Sequence, residues 1–140
     1  MNARLVSELI VLDLGASLGF WRDLIGFEVA YDRPEEGFAF LTCDGISFML
    51  EQLDKQARSW LTGPLERPWG RGINFEISRP SIEPILAKLT EANWPLFMEP
   101  EEKWYRVGAS RAGVRQFLVQ DPDGYLLRFA EPIALGLIGI

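Results

Sequence analysis

Few side chains in this sequence can do chemistry, and their types narrow what that chemistry is. There is no histidine among the 140 residues, which removes the commonest general base and the commonest transition-metal ligand together. A single cysteine, Cys43, excludes the structural zinc sites built from cysteine alone or from cysteine with histidine. A nucleophilic thiol needs a lowered pKa; nothing beside Cys43 supplies one, and it reads as structural. What remains is an arginine in an unusual place and a few carboxylates. Arg128 stands in the middle of Tyr125–Ala130, an apparent half-buried strand after the turn Asp121-Pro122-Asp123-Gly124, in which Pro fixes φ and Gly accepts φ > 0. An arginine in a partly enclosed setting needs an acceptor, and Glu51 or Glu8 is expected to provide it. A structural arginine and a ligand-contacting one fit the sequence equally. For the two glutamates, charge balance is favoured over direct reception of a cationic ligand or a metal.

The second candidate set is aromatic. Trp60 and Trp69 fall in a stretch, Asp54 to Arg71, broken by Gly63-Pro64, Pro68 and Gly70; Trp104 and Tyr105 fall in the charged run Glu101 to Arg106. Flat rings suit a planar or cationic ligand through stacking and cation–π attraction. Taken singly, aromatics in a small domain mostly pack. Clustered in loops that bury little core, these four are candidates for the walls of a pocket, with Phe38 and Phe40 beside them. Trp21, at helical spacing, reads as core. The stretch Ser59 to Gly72 lacks the Gly-Lys-Ser/Thr ending of a phosphate loop.

The elements that must position these residues come in two similar series. Leu5–Leu12 has strand composition, and Leu14–Leu24 spaces Leu14, Leu18, Trp21 and Leu24 as a helix that Gly26 ends. Phe27–Tyr31 and Phe38–Thr42 alternate as strands, and Asp44-Gly45 is a hairpin signal leading into Ile46–Leu53. After the loop the order repeats. Gly72–Ser78 is a strand, and Ser81–Ala92 a helix with a serine cap and Pro84 in its first turn. Asn93–Met98 can be a short strand, Trp104–Gly108 is an edge strand, and Val114–Val119 and Tyr125–Ala130 are strands. Each half reads β-α-β-β-β, and Asp44-Gly45-Ile46-Ser47-Phe48-Met49 lies over Asp123-Gly124-Tyr125-Leu126-Leu127-Arg128 without a gap. The expected fold is α+β, one domain of two βαβββ modules: residues 1–53, a connecting loop 54–71, residues 72–132, and a tail 133–140.

Composition bounds the partners. The chain is 48% hydrophobic and 24% charged with a net charge of −6, which is the make-up of a soluble domain and argues against nucleic acid. No apolar run is long enough to span a bilayer, and the N-terminus lacks the basic-then-apolar layout of a signal peptide. A cytoplasmic location is expected. The aliphatic tail Ile133–Ile140 is better explained by packing across a subunit interface than by a membrane anchor.

Four segments carry a family resemblance: VLDLGASLGFWRDLIGFEV (Val11–Val29), ISFMLEQ (Ile46–Gln52), GRGINFEI (Gly70–Ile77) and FLVQDPDGYLLRFAE (Phe117–Glu131). In this order and spacing the chain resembles the vicinal oxygen chelate superfamily, and within it the bleomycin resistance proteins. The resemblance implies paired βαβββ modules forming a cleft, and commonly a homodimer. It also implies a choice between metal-dependent members, such as glyoxalase I and the extradiol dioxygenases, and metal-free members that sequester a drug. The family's metal positions fall on Val6, Met49, Gly72 and Arg128, none of which suits a hard or borderline divalent ion, so no metal and no cofactor is expected. Strand alternation sends Leu126, Arg128 and Ala130, Met49 and Glu51, Val6 and Glu8, and Gly72, Asn74 and Glu76 towards the cleft.

The resemblance thus implies a metal-free antibiotic-binding protein that holds a bulky, cationic, aromatic small molecule without turning it over. Phe38, Phe40, Met49, Glu51, Trp60, Trp69, Asn74, Trp104, Tyr105 and Arg128 are its expected ligand-binding residues, and no catalytic residue is expected. The alternative is a glyoxalase- or dioxygenase-like enzyme, or a metal-free lyase or isomerase with Glu51 as base. A third class is an accessory or regulatory domain with no ligand of its own.

Overall fold

The computed structural model describes residues 3–54 and 60–137. The chain divides into two compact units: Met1–Trp69 with Asp121–Gly124, and Gly70–Gln120 with Tyr125–Ile140. Each unit is a four-stranded mixed sheet carrying a helical segment, which gives the α+β, doubled βαβββ architecture expected from the sequence.

In the first unit the order is β1 (Ser7–Val11), α1 (Leu14–Leu18), β2 (Glu28–Arg33), β3 (Phe38–Cys43) and β4 (Ile46–Gln52). Asp13 caps α1, its Oδ1 accepting from the Ala16 amide at 3.1 Å, and the helix continues as a π-helical segment over Gly19–Leu24. This carries Phe20 and Trp21 into the core, where both are fully buried. The sheet order is β1-β4-β3-β2, with β1 parallel to β4. Leu9, Val11, Ala39, Leu41, Phe48 and Leu50 fill the helix-covered face. Trp21 packs on Phe48 at 4.9 Å and edge-on to Phe27 at 5.5 Å; such tilted and T-shaped pairs match the ring quadrupoles.

In the second unit the order is β5 (Asn74–Ser78), α2 (Glu83–Glu91), β6 (Met98–Val107), β7 (Ser110–Gln120) and β8 (Leu126–Leu137), with sheet order β5-β8-β7-β6. Ile82, Ile85 and Leu89 pack with Ile77, Phe117, Val119, Leu127 and Phe129, all buried; Phe117 stacks on Phe129 at 5.3 Å. Glu131 of β8 accepts the Ile82 amide at 2.9 Å, next to the weaker Ser81 bond to Glu83 at 3.3 Å. The helix start is therefore held mainly by a long-range carboxylate rather than by the local serine.

Two strand boundaries differ from the sequence reading. Residues 93–97 form no strand; a bulge between Met98 and Glu101 lets a single β6 run through to Val107. β8 does not stop near Ala130 but continues to Leu137, paired to β7 as far as Ser110. Most of the supposed tail is thus strand. Its expected role at a subunit interface rests on side chains and on residues 138–140 outside those described. No helix among the described residues is long and apolar enough to cross a membrane.

Candidate functional site

Each sheet presents one face to its helix and leaves the other free of helix, and the register fixes what stands on the free face. On the first sheet, Glu8 pairs with Met49, Met49 with Phe40, and Phe40 with Tyr31. The adjacent row runs Ile10, Glu51, Phe38, Arg33. Tyr31 stacks on Phe40 at 5.1 Å with 13° between the planes, and Phe38 lies 6.0 Å from the same tyrosine. The Arg33 guanidinium sits 4.1 Å over the Phe38 ring and pairs with Glu36. Phe38 and Phe40 are buried while Tyr31 remains open. Partial burial raises the Glu8 carboxyl above its ordinary value, and the negative charge of Glu51 adds to the shift. The face thus joins aromatic surface to two repelling carboxylates. A cavity of about 410 Å³ lies at the end of this sheet, lined in part by Pro34, Glu35, Glu36, Gln52 and Asp54.

On the second sheet, one row of the free face reads Glu76, Arg128, Leu118, Met98, and the next Ser78, Ala130, Gln116, Glu101. Arg128 donates to Glu76 Oε2 at 3.1 Å. This corrects the expected pairing with Glu51 or Glu8. The acceptor is the residue opposite Arg128 on the parallel strand β5, a neighbour created by register and not by sequence. Gln116 gives its Nε2 to Glu101 at 3.1 Å and to the Tyr105 hydroxyl at 2.7 Å. Its Oε1, and Nε of Arg128, are buried with no partner among the described residues.

The turn Asp121–Gly124 belongs to the first unit, and its two aspartates are among the few buried charged groups. Asp121 accepts from Trp21 Nε1 at 3.2 Å and from the Asp123 amide at 3.0 Å. Asp123 accepts from the Leu12 amide at 3.2 Å and pairs with Arg67 at 3.3 Å. Burial pushes the Asp123 carboxyl up, against the lowering effects of the Leu12 amide and Arg67; the charge of Asp13 pushes the same way as burial. The Asp123 carbonyl accepts the Trp69 amide at 2.9 Å. These two carboxylates tie the turn to Leu12, Trp21 and Arg67.

The other expected ligand residues separate. Trp69 is buried and Trp60 is 72% exposed. Trp104 and Tyr105, adjacent on β6, point to opposite faces, as the two-residue period of a strand requires. Tyr105 joins Gln116, while Trp104 packs over Gly113 and faces Arg111 at 5.2 Å. Asn74 lies exposed at the start of β5. Phe38, Phe40, Met49 and Glu51 stand together on the first sheet, and Arg128 stands on the second. Gln116, Tyr31 and Arg33 were not singled out from sequence; a glutamine inside the apolar run Val114–Val119, in phase with Arg128, was the available signal for the first.

Residues 4–129 match the glyoxalase/bleomycin resistance protein/dioxygenase superfamily. The chain belongs to that superfamily. A superfamily member of known structure from Vibrio splendidus 12B01 is 39% identical, covering 93% of this chain and 98% of that one, with a TM-score of 0.41. TioX from Micromonospora sp. ML1 is 18% identical over 94% of this chain and 100% of that one, with a TM-score of 0.70. The lactoylglutathione lyase from Agrobacterium tumefaciens is 18% identical over 94% of each chain, with a TM-score of 0.58. No curated protein matches the sequence.

Metal-dependent chemistry in this superfamily needs a donor set, and the residues here do not fit one. Two of the positions carried over from sequence, Val6 and Gly72, precede their strands, with Gly72 in a turn at φ 90°. The register neighbours of Met49 and Arg128 on the first strand of each sheet are instead Glu8 and Glu76. Even so, Glu76 is engaged by a guanidinium whose fixed charge opposes a cation. Glu8 adjoins a thioether, which mixes hard and soft donors. No group of three or more His, Cys, Asp or Glu suited to an ion occurs among the described residues.

Proposed function

We propose that this superfamily member is a small-molecule-binding protein of the bleomycin-resistance type, which holds a planar, cationic aromatic ligand by sequestration and without a metal. One observation carries the reading: the free face of the first sheet presents the exposed ring of Tyr31, backed by the buried rings of Phe40 and Phe38, beside Glu8 and Glu51. Stacked rings attract a flat cation through their faces, and the carboxylates add charge complementarity. Arg33 over Phe38 demonstrates the geometry with the protein's own guanidinium. Sequestration needs affinity and stoichiometry only, so the lack of histidine costs it nothing. A cytoplasmic homodimer is the accompanying assembly; exposed Ile73, Phe97, Val107 and Ile133 on the second unit are apolar surface for a second copy to cover.

A ligand that binds the native state raises the melting temperature. N-methylquinolinium is expected to raise Tm more than 1-methylnaphthalene, its neutral isostere, and bleomycin is expected to raise it as well. Equal, absent shifts across all three would reject the reading in favour of an accessory domain.

The raised carboxyl of Glu8 favours a second reading, a metal-free lyase or isomerase, because a carboxyl shifted upwards is better matched to proton transfer near neutrality. The base then falls on Glu8 instead of the Glu51 expected from sequence. Turnover of a carbonyl substrate that disappears in Glu8→Gln would establish it.

A further inference from the structure

Gln116 is only 4% exposed. Its orientation follows from its partner, because the Glu101 carboxylate at 3.1 Å accepts and so the amide nitrogen faces it. The oxygen is therefore aimed elsewhere by necessity, and it has no donor among the described residues. Arg128 repeats the situation with opposite sense. Its terminal nitrogen is committed to Glu76, while its Nε–H is buried and has no acceptor. A buried polar group left unpaired costs on the order of 1–3 kcal/mol, so a native fold retains two of them together only against some return.

The two orphans are near each other. Gln116 pairs with Ala130 across the β7–β8 ladder, and Arg128 is two residues before Ala130 on the same face. Such diagonal neighbours have Cβ atoms roughly 7–8 Å apart, within reach of long side chains converging on one group. One orphan is a pure acceptor and the other a pure donor. A group that satisfies both must itself donate and accept. The surrounding charge decides its type: Glu76 and Glu101 flank the pair, which disfavours an anion, and the guanidinium of Arg128 disfavours a cation. A neutral amide meets every condition, its C=O accepting from Arg128 Nε–H and its N–H donating to Gln116 Oε1.

We infer that the free face of the second sheet is an amide-recognition subsite, in which Arg128 and Gln116 together bind a carbamoyl or peptide-like group of the ligand. The inference rests on the small-molecule-binding reading above and deepens it for the second sheet taken by itself: what this face takes carries a neutral amide. Tyr105, itself 40% exposed, accepts from Gln116 Nε2 at 2.7 Å and so helps Glu101 to keep the amide nitrogen turned away from the open oxygen.

The test uses the full-length chain and two shape-matched probes, benzamide, which donates and accepts, and acetophenone, which only accepts. Titrations followed by the ¹⁵N–¹H resonance of Arg128 Nε are expected to shift saturably with benzamide, at an affinity at least about tenfold above acetophenone's, near the low end of what one buried unpaired group costs. In Gln116→Leu, or Gln116→Met as a second apolar replacement, that advantage should vanish while the acetophenone affinity stays the same. Equal affinities in the wild type would overturn the inference. So would an Arg128 resonance that neither probe moves and that shows a long-lived water contact, which would assign the pair to an ordered water only. If benzamide fails while N-methylquinolinium still raises Tm, the amide subsite alone is withdrawn; failure of benzamide together with absent shifts for N-methylquinolinium, 1-methylnaphthalene and bleomycin withdraws the parent reading too.

Discussion

The two Asp-Gly turns of the repeat occupy equivalent places and should respond very differently to the same substitution. Gly45 adopts φ 83°, and a Cβ built on it meets nothing within 4 Å among the described residues. Gly124 adopts φ 102°, and its Cβ would lie 2.5 Å from Pro68 Cβ, 2.7 Å from Pro68 Cα and 3.1 Å from the Trp69 amide nitrogen. Alanine in left-handed backbone costs roughly 1–2 kcal/mol at either site. At Gly124 the added methyl must also push back a backbone segment, about 1–3 kcal/mol by analogy with overpacked cores. It further strains the bond from the Trp69 amide to the Asp123 carbonyl, worth about 1 kcal/mol. The totals are about 1–2 kcal/mol for Gly45→Ala and about 3–6 kcal/mol for Gly124→Ala. At roughly 3–4 °C per kcal/mol for a chain of this size, Tm should fall by about 3–8 °C and about 9–24 °C respectively. Thermal melts of the two variants, with urea titrations beside them, decide it. Equal losses would refute the claim that the second turn is clamped against residues 67–69.

Other perturbations separate fold from site. Arg128→Met should leave stability within about 1 kcal/mol, because its partner Glu76 is half exposed and such pairs contribute little, yet it should weaken benzamide binding; a large stability loss would make Arg128 structural. Trp21→Phe removes the bond to Asp121 and opens a gap in a fully buried site; a loss of about 2–4 kcal/mol in urea titration is expected, and a loss under 1 kcal/mol would contradict the buried-carboxylate account. Glu8 titrates above its ordinary value when folded, so its contribution is fully present below the unfolded pKa and is lost as pH rises through the folded one. Between pH 7 and pH 4.5 the wild type should therefore gain stability relative to Glu8→Gln; the opposite trend would show that Glu8 is not partly buried beside Glu51.

How much of this was legible in the sequence depends on whether a feature is local. The doubled order of elements was, because periodicity and the Asp-Gly turns are local signals. The face on which Phe38, Phe40, Met49 and Glu51 stand also followed, since alternation along a strand needs only the strand. The partner of Arg128 did not, because Glu76 becomes its neighbour through the parallel register of β5 on β8, at a sequence separation of 52. Trp69 looked like a loop aromatic free to meet a ligand; it is buried, and its amide is bonded to Asp123 in the Asp121–Gly124 turn, which is distant in sequence and joins the first unit. Gln116 passed unremarked within an apolar strand, because an orphaned oxygen becomes visible only when the other bonds of its amide are known.

The central claim is that this superfamily member binds an aromatic cation stoichiometrically without a metal, on the ring-and-carboxylate face of its first sheet. The most direct test is a calorimetric titration of chelator-treated protein with bleomycin, run in parallel on Glu51→Gln. The account predicts saturable heat near one ligand per chain in the wild type, unaffected by chelator and weakened in the variant. No heat in the absence of metal, with binding or turnover restored by a divalent ion, would contradict it.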